Sequence, residues 1–200
     1  MNLLSVNADA KTSKGFSKGY LTGILYLAPA NESGWEVCPS RSEGCTSACL
    51  FTAGRGAFSN VKDARIRKTQ LLFSNRSEFL KLLRQDIISL VAKAKKLDMA
   101  PCVRLNGTSD LGWEGLAKDI IAEFPEVQFY DYTKIVGRML RYCNGKMPAN
   151  YHLTFSRSES NWSDCIAVLR AGGNVAAVFD KVVTQYEGFQ VVDGDSTDLR

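Results

Sequence analysis

Three cysteines in one short segment are the residues of this chain best suited to chemistry. Cys38, Cys45 and Cys49 follow an apolar run at 24–27 that predicts a strand. Thiolate sulfur is a soft ligand that suits iron–sulfur clusters and zinc. Because a cluster is normally held by four cysteines, three close together predict a cluster whose fourth corner takes another ligand. We therefore expect the three thiols to bind a [4Fe-4S] cluster with a small molecule at its open position, since catalytic metal sites keep one position open.

Two other uses of the cysteines stay open. Six cysteines would predict disulfides in a secreted protein, but residues 1–10 lack the positive charge and apolar core of a signal peptide. No stretch is apolar for long enough to cross a membrane. A cytoplasmic protein is therefore predicted, in which clustered cysteines bind metal more often than they pair. Zinc is the alternative metal, although only half of a zinc-knuckle pattern is present. His152 and Cys143 are candidates for a fourth ligand.

The charge of the chain is mildly positive. A net charge of +4 over 200 residues is only a weak indication of anionic partners, so we do not expect nucleic acid. Basic residues concentrate in Lys62, Arg65, Arg67 and Lys68, with Arg55 shortly before them. This segment is interpreted as the solvated face of a helix, or alternatively as a clamp for phosphate or carboxylate beside the cluster. A nucleic-acid-binding accessory factor that uses this face is a third hypothesis for the function.

Strand and helix patterns alternate along most of the chain. Residues 1–19 predict an irregular lead-in, residues 20–195 the folded part and residues 196–200 a tail, all within one domain. The predicted strands lie at about 20–28, 101–107, 127–132, 151–156, 175–179 and 189–192. Helical periodicity between them is typical of βαβ crossovers and a parallel sheet. The sequence therefore predicts an α/β protein with an open or partial (β/α) barrel of about six mainly parallel strands.

Polar side chains alternate with apolar ones along three of the predicted strands. Because residues i and i+2 of a strand share a face, each of these strands gathers polar groups on one side. Those groups include Arg104, Asn106, Asp131 and His152. Sites of (β/α) proteins form where the strands end, so we expect these residues and Asp110 to line a cavity beside the cysteines, with Arg55 at its rim. The alternative is that they satisfy one another as a buried polar network.

Five motifs are spread along residues 14–195. They are Leu27-Ala-Pro-Ala, Cys38-Pro with Gly44-Cys45 and Cys49, Ala53-Gly-Arg-Gly, Val103-Arg-Leu-Asn-Gly-Thr-Ser-Asp110 and Phe129-Tyr-Asp-Tyr-Thr-Lys134. Together they resemble a family of small phage-encoded proteins, often called gene product 88-like. The resemblance implies a phage protein in the cytoplasm of a bacterial host. It implies no particular activity.

The order of elements is similar to that of the radical SAM enzymes, in which a first strand is followed by three cysteines and about six βα units. The core of those enzymes is a partial (β/α)6 barrel with a [4Fe-4S] cluster after the first strand. The resemblance implies that each of the three cysteines binds one iron, and that the fourth iron binds the amino and carboxylate groups of S-adenosylmethionine. Two features depart from that family. The spacing here is C-x6-C-x3-C instead of C-x3-C-x2-C, and Gly107-Thr-Ser-Asp110 replaces a glycine-rich motif that ends in Glu.

The same resemblance implies roles for the polar strand-end residues. The residues placed around the cofactor are Arg55, Arg104, Asn106 and Asp110. Asp110 orients the ammonium group or the ribose hydroxyls, while Asp131 and His152 face the substrate. The reaction is the reductive cleavage of S-adenosylmethionine, for which the protein supplies orientation and electrostatics. The competing hypothesis is a zinc- or cluster-stabilised protein that binds a host target without catalysis, with the cysteines as folding staples.

Overall fold

Six strands form one sheet in the computed structural model of the chain, which describes residues 1–6, 10–49, 51, 54–181 and 183–195, with the backbone alone at 10, 11 and 55. The strands are β1 (Leu4–Val6), β2 (Tyr20–Leu25), β3 (Ala100–Arg104), β4 (Gln128–Thr133), β5 (Tyr151–Ser156) and β6 (Val175–Ala176). They lie side by side in chain order. β2 to β6 run parallel, and β1 runs antiparallel to β2. The sheet stays open, so the predicted open α/β architecture with mainly parallel strands is confirmed.

One predicted strand lies outside this sheet. At 189–192 the structure has the short strand β8 (Phe189–Gln190), which pairs with β7 (Gln185–Tyr186) in a separate hairpin. The sixth strand of the main sheet is instead β1, in the segment 1–19 that the sequence predicts to be irregular. That segment also contains the helix α1 (Ala10–Phe16). With three residues, β1 is too short for a period-2 pattern to show in the sequence.

Helices fill most of the connections between the parallel strands. They are α2 (Glu43–Ser47), α3 (Ser59–Ser74), α4 (Arg76–Lys96), α5 (Trp113–Leu116), α6 (Lys118–Glu123), α7 (Val136–Cys143) and α8 (Trp162–Arg170), with a 3-10 helix at Gly54–Ala57. The longest, α4, begins where Asn75 Oδ1 accepts the Glu78 amide N–H at 3.2 Å, which satisfies an otherwise unpaired donor of the first turn. None of the helices in the described part of the chain combines the length and the hydropathy that a bilayer span requires.

The helices cover one face of the sheet. Strand pairing brings Gly23, Val103, Phe129 and Tyr151 into one row, so these residues share a face. Leu90 of α4 lies 3.3 Å from the position a Cβ would take on Gly23, and Arg138 of α7 hydrogen-bonds Tyr151 on the same face. Parallel strands in chain order need crossovers of one hand, which carry the helices to one side. The carboxyl ends of the strands therefore form one edge, where the loops of interest meet.

Gly107 marks the closest approach of two strand ends at this edge. Its amide donates to Leu25 O at 3.0 Å, and a Cβ on Gly107 would lie 2.7 Å from both Leu25 O and Ile24 Cγ2. We expect Gly107→Ala to lower the free energy of unfolding by about 1–3 kcal/mol, the usual effect of overpacking. Gly115→Ala is the matched control, because nothing lies within 4 Å of its Cβ position. Urea unfolding measures both, and equal stability of the two variants would contradict the assigned contact.

Candidate functional site

The cysteine segment lies at the carboxyl end of β2. It is fixed to the neighbouring β3 end, since Thr108 Oγ1 donates to Leu27 O at 2.5 Å and the Asp110 amide donates to Val37 O at 2.8 Å. All six cysteines are thiols, with no disulfide among them in the described residues. The thiols of the segment are half-buried, one before α2, one within it and one after it. The segment therefore presents three half-buried cysteines at the edge where the strand ends meet.

Cys38 has the most enclosed thiol of the segment. Its Sγ accepts the Ala30 amide N–H at 3.4 Å. Burial raises the pKa of Cys38, and the charges of Cys45, Asp110 and Cys49 raise it further. The three thiols are thus close enough for the charge on two of them to act on the third. Bringing all three into the thiolate form requires a cation to offset their mutual repulsion, and a bound metal centre supplies one.

Cys45 lies beside a lysine from another loop. Lys134, which follows β4, places its Nζ 3.7 Å from Cys45 Sγ. At this distance the ammonium group donates a hydrogen bond to the sulfur. Lys134 is not among the site residues that the sequence predicts. The only signal for it is its position directly after a strand, in the motif Phe129–Lys134.

Arg65 of α3 is the basic residue whose charge interacts with Cys49. The Arg65 guanidinium lies between two aromatic rings, with Cζ 5.0 Å from the Tyr26 ring centroid and 5.6 Å from that of Phe51. Its Nε and Nη1 atoms are buried and have no hydrogen-bond partner among the described residues. Burial lowers the pKa of Arg65, whereas the charges of Tyr26 and Cys49 raise it. The half-buried guanidinium thus lies against two rings, and its charge interacts with that of Cys49.

The basic segment 62–68 is therefore not a solvated helix face. Arg67 is exposed as that interpretation requires. Lys68, however, is only 8% exposed and donates to Leu3 O at 2.7 Å. Lys62 lies over the Phe51 ring at 5.6 Å. The interpretation as a solvated face holds for Arg67 alone, because α3 packs this side against the sheet edge and the cysteine segment.

A single metal ion is not enclosed by the described side chains. Among those residues, no three His, Cys, Asp or Glu side chains converge closely enough to hold one ion. Cys143 closes the far end of α7, where its Sγ lies 2.8 Å from the position a Cβ would take on Gly173. His152 is the second residue of β5 and so lies away from the carboxyl edge. The structure therefore brings neither candidate fourth ligand to the cysteine segment.

A buried polar network fills the space between the sheet and α7. At its centre, Arg138 Nε donates to Glu114 Oε2 at 3.0 Å, Nη1 to Asp110 Oδ1 at 3.3 Å and Nη2 to Tyr151 Oη at 2.9 Å. Tyr151 Oη in turn donates to Asp131 Oδ2 at 2.5 Å. Two carboxylates thus contact one buried guanidinium, and a third is linked to it through Tyr151.

Asn106 extends this network to the end of β3. Its amide N–H donates to Asp131 Oδ1 at 2.7 Å. Its side-chain oxygen accepts from Ser109 Oγ at 2.8 Å and from the buried Trp113 Nε1 at 3.1 Å. The predicted residues Asn106, Asp110 and Asp131 therefore lie together. They form a polar network, which is the alternative to an open cavity that the sequence also allows.

Arg104 and His152 lie on the other face of the sheet. Strand pairing places Asp131 beside Leu153, so these two residues share a face. His152 precedes Leu153 in β5 and therefore lies on the opposite face. His152 Nδ1 is 2.7 Å from Tyr142 Oη, and burial lowers the pKa of this histidine. The Arg104 guanidinium stacks over the Tyr132 ring at 4.8 Å. The structure thus divides the predicted cavity residues between two faces, while the Arg55 side chain falls outside the described residues.

The central members of the network, Arg138, Glu114 and Tyr151, are absent from the sequence-based site. Tyr151 shares the apolar parity of β5, and Glu114 follows a core tryptophan. Arg138 lies between apolar neighbours in α7. A charged side chain among apolar ones on a short helix after a strand is the one signal that could indicate a buried partner.

The comparison with family models agrees with the motifs quoted above. The model described as Gene product 88 matches residues 2–200. The chain belongs to the Gene product 88 family. Neither the curated proteins nor the solved structures contain a match to it.

Asp131 should make the stability of this family member depend on pH. Burial raises its pKa from 3.8 to about 6, although Arg138 and the hydrogen bond from Tyr151 oppose the shift. Between these values the folded state holds a proton that the unfolded state has lost, so stability falls as the pH rises from about 4 to 6. The full effect is on the order of 3 kcal/mol.

Asp131→Asn removes the titrating group and should not show this decline. Between about pH 4 and 6, its free energy of unfolding should therefore rise relative to that of wild type by on the order of 3 kcal/mol. Tyr151→Phe is the control. It keeps Asp131 but loses a hydrogen bond to the carboxylate, so its decline should persist and move to higher pH. Urea unfolding at a series of pH values measures all three proteins. An Asp131→Asn profile parallel to that of wild type would show that Asp131 titrates normally.

Proposed function

We propose that this phage protein binds a [4Fe-4S] cluster through Cys38, Cys45 and Cys49, in the reducing cytoplasm of the infected bacterium. One observation carries the proposal. The three free thiols lie at positions 38, 45 and 49 of one segment at the carboxyl end of β2, yet the described side chains do not converge on a point where a single ion would be held.

This spacing favours a cluster over zinc. Tetrahedral zinc, at about 2.3 Å from each sulfur, brings its ligands to within about 4 Å of one another. In a cluster each thiolate binds a different iron, so the sulfurs stay farther apart. Thiols that are near one another without converging therefore suit a cluster better than a single ion.

The surroundings of the thiols also suit a cluster. Hydrogen bonds to the sulfurs, local charge and exposure set the reduction potential of such centres. Cys38 Sγ already accepts an amide N–H, Cys45 Sγ has Lys134 at 3.7 Å, and Cys49 has Arg65 nearby. Open α/β sheets bind their ligands at the carboxyl ends of the strands, and the segment lies there.

The fourth iron is then available to a small molecule. Neither His152 nor Cys143 lies at the carboxyl edge, whereas Asp110 does, with a carboxylate whose charge acts on Cys38. A ligand that carries an ammonium group could be held between this carboxylate and the cluster. S-adenosylmethionine has such a group, and Asp110 is the residue we assign to its orientation. Asp131 stays buried in the Arg138 network, so we assign it to the support of Asp110.

Wild-type protein purified without oxygen should be brown and contain about four iron and four sulfide per chain. It should absorb broadly in the blue part of the visible spectrum, and reduction should remove that absorbance. Replacement of any one of Cys38, Cys45 or Cys49 by Ser should abolish most of the iron binding. Cys143→Ser and His152→Ala are the controls and should keep the cluster, because neither residue lies near the segment. Colourless wild-type protein with one zinc per chain would contradict the proposal.

The enzymatic form of the proposal has its own test. Cluster-containing protein reduced with excess dithionite should convert S-adenosylmethionine to methionine and 5′-deoxyadenosine, a cleavage that consumes two electrons from dithionite and one proton from water. Asp110→Asn should lower the yield about tenfold or more, as expected when a group that orients a reactant is lost, without loss of iron. Absence of 5′-deoxyadenosine from protein with a full cluster would leave a cluster with a non-enzymatic role.

One observation favours that second role, in which a metal-stabilised protein binds a host target. Trp35, just before the cysteine segment, is 47% exposed. It stacks flat on Phe73 of α3, with ring centroids 4.7 Å apart. A rigid, exposed indole is typical of residues that anchor protein–protein contacts.

A further inference from the structure

Glu159 connects the loop after β5 to the helix that carries Cys45. Its Oε1 accepts the Gly44 amide N–H at 2.8 Å, and its Oε2 accepts from Ser42 Oγ at 2.8 Å. Ser42 Oγ also caps α2, since it accepts the Cys45 amide N–H at 3.1 Å. One carboxylate from 117 residues farther along the chain thus engages both the cap and the first turn of α2.

Gly44 and Lys134 both favour the contact between Glu159 and α2. A Cβ on Gly44 would lie 3.1 Å from the Glu159 carboxylate, so glycine gives the carboxylate access to the backbone. Hydrogen bonds from its own amide, from Gly44 and from Ser42 lower the pKa of Glu159, and Lys134 lowers it further. Lys134 also contacts Cys45 Sγ, so the ammonium group interacts with the carboxylate and the thiol at once.

We propose that Glu159 is a positioning residue, which holds the Cys45 half of the cysteine segment at the carboxyl edge of the sheet. The contact itself needs no metal. The role of this contact in cluster binding rests on the function proposed above, since a cluster forms only where its thiolates are held within reach of one another. Removal of the carboxylate should therefore free α2 to move, first in the metal-free protein and then in the loaded one.

Hydrogen exchange in metal-free protein tests the contact directly. For the peptide at 43–49, Glu159→Ala should speed amide exchange about two- to fivefold, in line with the modest strength of exposed ionic contacts. Glu159→Gln keeps one acceptor oxygen and should recover part of the protection. Ser160→Ala, an exposed neighbour on the same loop, is the control and should exchange as wild type does. Wild-type exchange in Glu159→Ala would overturn the proposal.

The effect should also depend on pH in a way that a loss of packing would not. Because the folded-state pKa of Glu159 is lowered, the contact holds at pH values above the ordinary pKa and is lost only as the pH falls through the lowered one. The charge of Lys134, from the loop after β4, acts on the Glu159 carboxylate, and Arg41 and Glu43 flank its partner Ser42 in the sequence. The difference in exchange between wild type and Glu159→Gln should be present at pH 7 and should shrink as the pH falls through the lowered pKa. A difference of equal size throughout would overturn the assignment to the ionised carboxylate.

Loss of iron to a chelator then links the contact to the cluster. Loaded Glu159→Ala protein should release iron about two- to fivefold faster than wild type, whereas Ser160→Ala should match wild type. If wild-type protein binds no cluster but Glu159→Ala still loosens 43–49, the proposed function fails and the positioning role stands. If wild type binds a cluster and Glu159→Ala matches it in both assays, the positioning role fails and the function stands.

Discussion

The Arg138 guanidinium is the interaction on which the carboxyl edge of this sheet depends. It joins Asp110 from the loop after β3, Glu114 from α5 and Tyr151 from β5. Charges are costly to bury unless they are paired with good geometry, and loss of one partner from a buried pair typically costs about 3–5 kcal/mol. Two contacting carboxylates and a third linked through Tyr151 are not balanced by one cation. Burial raises the pKa of Asp110 and that of Asp131, although the charge of Arg138 opposes both shifts.

The cysteine segment depends on the same edge. The second oxygen of Asp110 accepts the Lys134 amide N–H at 2.7 Å, which places the lysine that contacts Cys45. The Asp110 amide holds Val37 O, directly before Cys38. The positions of two thiols thus follow from the ends of β3 and β4, and Glu159 adds the end of β5. The ends of β3, β4 and β5 thus determine where the cysteine segment lies.

The sequence predicted the parts of this arrangement that are encoded locally. Alternation in β5 identified its two faces. Alternation also placed Asp131 on the face of Phe129, but it could not show that this face lies under the helices. The face that the helices cover depends on the one-sided crossovers. The strand register places Asp131 and His152 on opposite faces. Arg138 was not recognised, because a charged residue in a short helix indicates exposure until its buried acidic partners are known. β1 exists only through its pairing with β2, which no local pattern contains.

The two halves of the cysteine segment differ in how they are held. Cys38 and Cys45 are fixed by hydrogen bonds to the ends of neighbouring strands, whereas Cys49 leads toward α3 and Arg65. Buried Nε and Nη1 atoms without acceptors among the described residues cost free energy, because a desolvated donor has lost its hydrogen bond to water. Cluster sulfur bound at Cys49 would supply acceptors to that guanidinium. Under the proposed function, metal binding therefore offers acceptors to Arg65, which couples cluster binding to the ordering of this region.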